Sequence, residues 1–260
     1  DMVSRGLGDV YKRQMHECAI TKNYMLVFDL SVVFDLYKLG RGYFPFSWDD
    51  NHQSRIGLLS RNGDSNEVKW FEIDRTYFFH TFNAHEDANG NVIVTAAAYG
   101  RLFDTDWNGP FTESPPQLTK WELNTKSGQA ISTKLDDRSV EFPRINPSLV
   151  GKSNQYAYAL ASSNPKEPDF NEVVKYDFKN DTSEVYEYGF GKFGAEPVFV
   201  AAEGAKSEDE GYLLSLVYNQ ETDKSDLIIL NAKEPKSGPL ATVHLPQRVP
   251  HGFHGEWIKI

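Results

Sequence analysis

Short runs of β-branched and aromatic residues, each closed by a polar turn, are the feature that most limits what this chain can become. Residues 92–98 follow the turn Ala88-Asn89-Gly90-Asn91, and Asn-Gly is a strong short-range hairpin signal. Residues 120–123 and 130–135 flank the polar stretch 124–129. Residues 172–178 and 184–188 flank 179–183, and residues 211–218 and 226–230 flank 219–225. Residues 156–161 read as a buried strand. Helical periodicity is scarce. Strands joined by tight turns at roughly ten-residue spacing predict antiparallel meanders, hence a sandwich, barrel or propeller. Meanders in series, each of about 40 to 50 residues, favour propeller blades. No strict sequence repeat accompanies them.

Composition excludes several alternatives. The 260 residues carry 27 Lys and Arg against 37 Asp and Glu, a net charge of −10, with no massed basic face for a nucleic-acid phosphate backbone. The most apolar stretch, residues 24–36, is interrupted by Asp29, Ser31 and Asp35, too short and too charged for a membrane-spanning helix of about 20 residues. One cysteine rules out an internal disulfide framework or thiolate cluster and suits a reducing compartment, so a cytoplasmic location is expected. Residues 1–14 lack both hydrophobic period and turn logic and have no apolar signal-peptide centre. They read as translated adapter sequence or a flexible tail, and residues 15–260 as the folded part. The acidic run Glu208-Asp209-Glu210 reads as a solvated turn.

Seven histidines are present, and three stand in suggestive contexts. His16 lies in Met15-His16-Glu17-Cys18-Ala19-Ile20-Thr21, before the apolar stretch. His80 closes the run Tyr77-Phe78-Phe79. His254 lies in Pro250-His251-Gly252-Phe253-His254-Gly255. Imidazoles brought together from separate meanders are a common basis for a transition-metal site. Side chains alternate along a strand, so in extended segments only one of His80 and His85, and one of His251 and His254, can face a given side. His85 and His251 are then loop or outer-layer residues, and His52 and His244 have no expected role in the chemistry.

These segments resemble the carotenoid cleavage oxygenase family, which includes apocarotenoid oxygenases, lignostilbene dioxygenases and the vertebrate retinoid isomerase. The Met15–Thr21 segment is similar to the family's Met-His-Asp-Phe-Ala-Ile-Thr pattern, with Glu17 and Cys18 as departures. Phe79-His80-Thr81-Phe82-Asn83-Ala84-His85-Glu86 is similar to Phe-His-x-x-Asn-Ala-x-Glu. Glu141-Phe142-Pro143-Arg144-Ile145-Asn146, Ala195-Glu196-Pro197-Val198-Phe199-Val200 and the segment from Pro250 to Gly255 follow in the family's order. The resemblance implies an all-β fold, the C-terminal blades of a partial seven-bladed β-propeller. It implies that His16, His80 and His254 are ligands of ferrous iron, Fe(2+). Of the outer carboxylates, Glu141 would orient His80 and Glu196 would orient His254. The family's fourth histidine, and the glutamate that orients His16, would lie upstream.

The implied reaction is dioxygenation: O2 adds across a conjugated C=C bond of an apolar carotenoid, apocarotenoid or stilbene-type substrate, giving two carbonyl products. No protein residue beyond the metal ligands is expected to act chemically. Phe44, Phe46, Trp48 and Phe79 are candidates either for an aromatic substrate lining or for plain core. A polyene substrate implies peripheral membrane contact. Two alternatives stand beside this: a non-catalytic propeller that binds apolar polyenes, and an inactive truncated member. A half propeller would expose strand edges, so this chain alone is expected to show little turnover.

Overall fold

The computed structural model describes residues 15–63, 67–107, 109, 113–162, 164, 169–251 and 254–259. Residues 1–14, set apart above, lie outside the described residues, as do Gly252 and Phe253 of the last motif. The chain divides into two compact units, Asp1–Asp137 and Arg138–Ile260.

In the first unit the short strand β1 (Ala19–Ile20) turns into β2 (Tyr24–Asp29). Strands β3 (Val32–Phe34) and β4 (Phe46–Trp48) pair as a ribbon around a single helical turn, α1 (Leu36–Leu39). Strands β5 (Arg55–Ser60) and β6 (Lys69–Glu72) complete a four-stranded sheet in the order β1-β2-β5-β6. Strands β7 (Thr81–Glu86), β8 (Val92–Ala98), β9 (Gln117–Leu123) and β10 (Ala130–Lys134) form a consecutive antiparallel meander. Strand β8 covers the expected residues without a shift. At the β7–β8 turn the Asp87 carboxylate accepts from the backbone N–H groups of Asn89 and Asn91, and Gly90 takes the left-handed φ of 82° that a side chain resists. Leu26, Ile56, Phe71, Val94, Phe103 and Trp121 are among the residues of one shared apolar cluster.

The apolar stretch 24–36 is not one strand. It breaks after Asp29, whose carboxylate holds both His52 Nε2 (3.0 Å) and Arg55 Nε (2.7 Å). It ends at Asp35, whose carboxylate caps α1 by accepting from the N–H groups of Tyr37 and Lys38. This helical turn was not expected, because four residues are too few to show a period.

In the second unit, β11 (Ser139–Arg144), β12 (Tyr156–Ser162), β13 (Glu172–Asp177) and β14 (Thr182–Glu187) form a second consecutive meander. The last sheet comprises β15 (Lys192–Gly194), β16 (Val198–Ala201), β17 (Gly211–Asn219), β18 (Lys224–Asn231) and β19 (Pro239–His244), with both β15 and β16 pairing with β17. Strand β12, paired on both sides, is buried along almost its whole length, whereas the edge strand β19 is exposed throughout. This is the gradient expected from an inner to an outer strand of a packed meander. Among the described residues no helix is long and apolar enough to cross a membrane.

Glu208-Asp209-Glu210 is not a solvated turn. The Glu208 carboxylate accepts from the backbone N–H of Gln155 and Tyr156. Asp209 is 4% exposed and pairs at 2.8 Å with the ammonium of the equally buried Lys175. Lys175 also donates to the Lys233 carbonyl at 2.7 Å and lies over the Tyr156 ring. Local sequence shows three consecutive acids; only the fold brings Lys175 and the start of β12 to meet them.

Two carboxylate clamps carry measurable consequences. Asp209→Asn leaves Lys175 as a buried cation without its counter-charge, which costs about 3–5 kcal/mol for a pair of this kind. Urea unfolding followed by circular dichroism should show that loss, and a change below about 1 kcal/mol would mean the pair contributes only as a surface pair does. In the first unit, Glu86 accepts from Thr21 Oγ1 (2.7 Å), Asn23 N (2.8 Å) and Asn23 Nδ2 (2.6 Å), tying the β1–β2 turn to the end of β7. Burial raises its pKa, but these hydrogen bonds together outweigh burial and hold it below the ordinary 4.5. A depressed carboxylate stabilises fully above its unfolded value and loses that contribution as pH falls through its folded value. Glu86→Gln should therefore lower the urea midpoint at neutral pH and reduce its further fall between about pH 5 and pH 3.

Candidate functional site

His16 and His80 are brought together by side-chain hydrogen bonds to the backbone around them. The Glu17 carboxylate accepts from Thr81 N (2.6 Å) and Thr81 Oγ1 (3.0 Å) at the first residue of β7. One residue earlier, His16 Nδ1 meets the Phe79 carbonyl at 3.1 Å. A carbonyl only accepts, so Nδ1 carries the proton and Nε2 holds the ring's lone pair. Positions 79 and 81 are thus both tied to the His16–Glu17 segment, and the residue between them is His80. The two imidazoles stand 5.1 Å apart between ring centres, edge to face at 85°.

His80 itself lies one residue before β7, and β7 carries an irregular register between Thr81 and Asn83. Strand alternation therefore does not relate His80 to His85. His85 is not a loop residue: it sits within β7 opposite Ile93, where burial pushes its pKa below the usual histidine value, partly countered by Asp87.

The second unit holds the remaining expected residues. Glu196 is 6% exposed, in the connection between β15 and β16. Its Oε1 lies 3.2 Å from His254 Nδ1, and its Oε2 accepts from Gly255 N at 2.9 Å. A carboxylate at Nδ1 places the proton there and the lone pair on Nε2, as the Phe79 carbonyl does for His16. Glu141 is 2% exposed, and its Oε2 accepts from Phe142 N at 2.7 Å. It belongs to the second unit, and His80, beside which it was expected, belongs to the first. Just after Glu141, β11 shifts register and Phe142 adopts a positive φ of 52°, a conformation that is strained for a bulky side chain. The Phe142 ring packs 5.9 Å from His254. His251 lies outside the strands with its ring against Tyr218 at 5.5 Å, and His244 pairs with Asp226. Arg144 was not among the residues anticipated; its Nη2 reaches Glu196 Oε2 at 2.8 Å. Its place in the Glu141–Asn146 motif was the available signal.

Beside the first histidine pair runs a chain of aromatic rings. Phe79 packs on His16 (5.3 Å), on His80 (6.2 Å) and on Phe103 (6.5 Å), and Phe103 packs on Phe44 (5.2 Å) and Phe46 (6.0 Å). Lys38, 3% exposed, donates to the carbonyls of Phe46 (2.9 Å) and Phe103 (2.6 Å), pinning the two segments together. Burial holds its pKa below the ordinary lysine value. The path ends at exposed Phe44, and the same β3–β4 connection carries exposed Leu36, Tyr37, Leu39 and Tyr43. Trp48, by contrast, is a core residue.

Neutral imidazoles of fixed tautomer are suitable donors for a first-row metal ion. Within either unit taken alone, no three His, Cys, Asp or Glu side chains among the described residues form a ready-made cage. His16 in the first unit and His254 in the second each have one ring nitrogen held by an acceptor, and His80 stands beside His16.

Comparison with known proteins adds the wider frame. The family model described as retinal pigment epithelial membrane protein matches residues 9–259. The chain is 31% identical to a carotenoid cleavage oxygenase of Mycobacterium tuberculosis, over 94% of this chain and 58% of that protein. It is 32% identical to a carotenoid 9,10(9',10')-cleavage dioxygenase of Crocus sativus, over 94% of this chain and 48% of that protein. Cobalt-substituted apocarotenoid oxygenase from Synechocystis superposes with a TM-score of 0.86 at 25% identity, covering 95% of this chain and 53% of its own. The chain thus spans about half the length of the curated relatives it matches. With its meanders in the expected order and nearly its whole length matched, this polypeptide belongs to the family of retinal pigment epithelial membrane protein and the carotenoid cleavage oxygenases, and its all-β fold is part of that family's β-propeller.

Proposed function

We propose that this chain is the C-terminal half of an Fe(II)-dependent dioxygenase that cleaves a conjugated C=C bond of a carotenoid or apocarotenoid with O2, releasing two carbonyl products. The observation that carries this reading is the His16–His80 pair, edge to face at 5.1 Å with the His16 tautomer set by the Phe79 carbonyl. At metal–nitrogen distances of about 2.1 Å, two imidazoles this close suit one shared ion. The family resemblance adds His254, whose Nδ1 faces the Glu196 carboxylate, as a further ligand. When bound, Fe(II) supplies the reactivity that joins O2 to an electron-rich double bond. The protein's own residues orient the imidazoles and place the polyene.

Phe79, Phe46 and Phe44 are the apolar faces offered to the polyene, backed by the buried Phe103, with Lys38 tying the Phe46 and Phe103 segments together. Conjugated substrates pack well on aromatic faces, and no charged group is needed to hold them. Their entry point is the exposed patch of Leu36, Tyr37, Leu39, Tyr43 and Phe44, which serves as a peripheral membrane contact. The reducing cytoplasm suits the lone Cys18.

The metal part of the reading is tested on this chain. Anaerobic Fe(II) titration should give binding that weakens by about tenfold or more in His16→Ala and His80→Ala. The chemistry is tested on the full-length parent, by product analysis after incubation with an apocarotenal under 18O2. Both carbonyl products should carry label; retention of the intact polyene by an iron-free protein would instead make it a carrier. For the patch, Leu36→Ser with Tyr37→Ser should reduce co-sedimentation with phosphatidylcholine vesicles several-fold, and unchanged co-sedimentation would remove the membrane contact from the reading.

A further inference from the structure

We infer that Arg144 is a positioning residue for His254 and acts through Glu196. This rests on His254 being a metal ligand, as proposed above. Arg144 closes β11, immediately after the irregular register between Glu141 and Arg144 and the strained Phe142. From there its guanidinium makes three contacts around one short segment. Nη2 donates to Glu196 Oε2 at 2.8 Å and also to the Gly255 carbonyl, and Nη1 lies 3.4 Å from Glu256 Oε2. Glu196 in turn faces the His254 ring and holds the Gly255 N–H. The peptide groups on both sides of Gly255 are therefore gripped by the Arg144–Glu196 pair, one through its N–H and the other through its C=O.

Charge and burial explain why this position needs an arginine. The Glu196 side chain is 5% exposed, and a buried carboxylate requires a compensating donor or cation. A neutral imidazole supplies a donor but no charge, whereas Arg144 supplies a permanent positive charge. Its planar fork reaches acceptors in different directions at once, which a lysine's single nitrogen does less well. His254 is half exposed on its own side chain, so packing alone does not hold its ring. The orientation of the imidazole depends on Glu196, and the place of Glu196 depends on Arg144.

The test uses Co(II) as a spectroscopic probe, titrated into the wild-type chain and into Arg144→Met, Arg144→Lys and His254→Ala, with binding read from visible d–d absorption and folding from the melting curve. Arg144→Met is expected to weaken Co(II) binding by about tenfold or more and to alter the band shape, since partners that orient ligands typically matter by 10–100-fold. Arg144→Lys, which keeps the charge, should recover part of that loss and separates positioning from misfolding. If Arg144→Met binds Co(II) as wild type does while His254→Ala loses affinity, the role given to Arg144 is wrong and the ligand assignment stands. If His254→Ala binds as wild type does, the ligand assignment fails and this inference with it.

Discussion

Carboxylates that accept backbone N–H bonds fix the histidine positions in both units. Glu17 takes the Thr81 amide and so sets His16 against His80; Glu196 takes the Gly255 amide and faces the His254 ring. An ionised acceptor makes stronger hydrogen bonds than a neutral one, and here it meets main-chain donors that cannot rotate away. The result is positional accuracy in segments that are not themselves strands. His80 precedes β7, and His254 lies beyond β19. Without these clamps the imidazoles would sit on irregular backbone with few restraints.

The sheets do a different job. Their apolar faces supply the burial, through Leu26, Phe71 and Trp121 in one unit and Leu160, Val173 and Leu213 in the other. Site residues gather where the regular ladder is interrupted. Two of the three register shifts among the described strands fall next to His80 and at Glu141; the third, at Ile229–Leu230, adjoins no candidate residue. An irregular ladder re-aims side chains that strict alternation would send to fixed faces.

Much of the fold was legible in sequence because meanders are built from local information. Strand β8 was read to the residue, and β12, β13 and β17 to within a residue at each end. Turn residues and β-branched runs act on their immediate neighbours, so their meaning does not depend on distant contacts. Failures came where a partner far along the chain decides the outcome. Asp29 ends β2 because His52 and Arg55 meet it, and Asp209 is buried because Lys175 does. The parity argument for His80 and His85, which holds for extended segments, does not apply where the β7 register is irregular beside His80.

By itself, the order of residues determined that the chain would be all-β, that it would run in antiparallel meanders, and which histidines and glutamates to watch. Those properties follow from local propensity and motif spelling. Only the tertiary structure decided that His16 and His80 stand edge to face, that Glu196 is shared between His254 and Arg144, and that Lys38 ties Phe46 to Phe103. Each of these joins segments separated by more than 50 positions. Hydrogen-bond geometry of that kind exists only once distant backbone segments have been packed side by side.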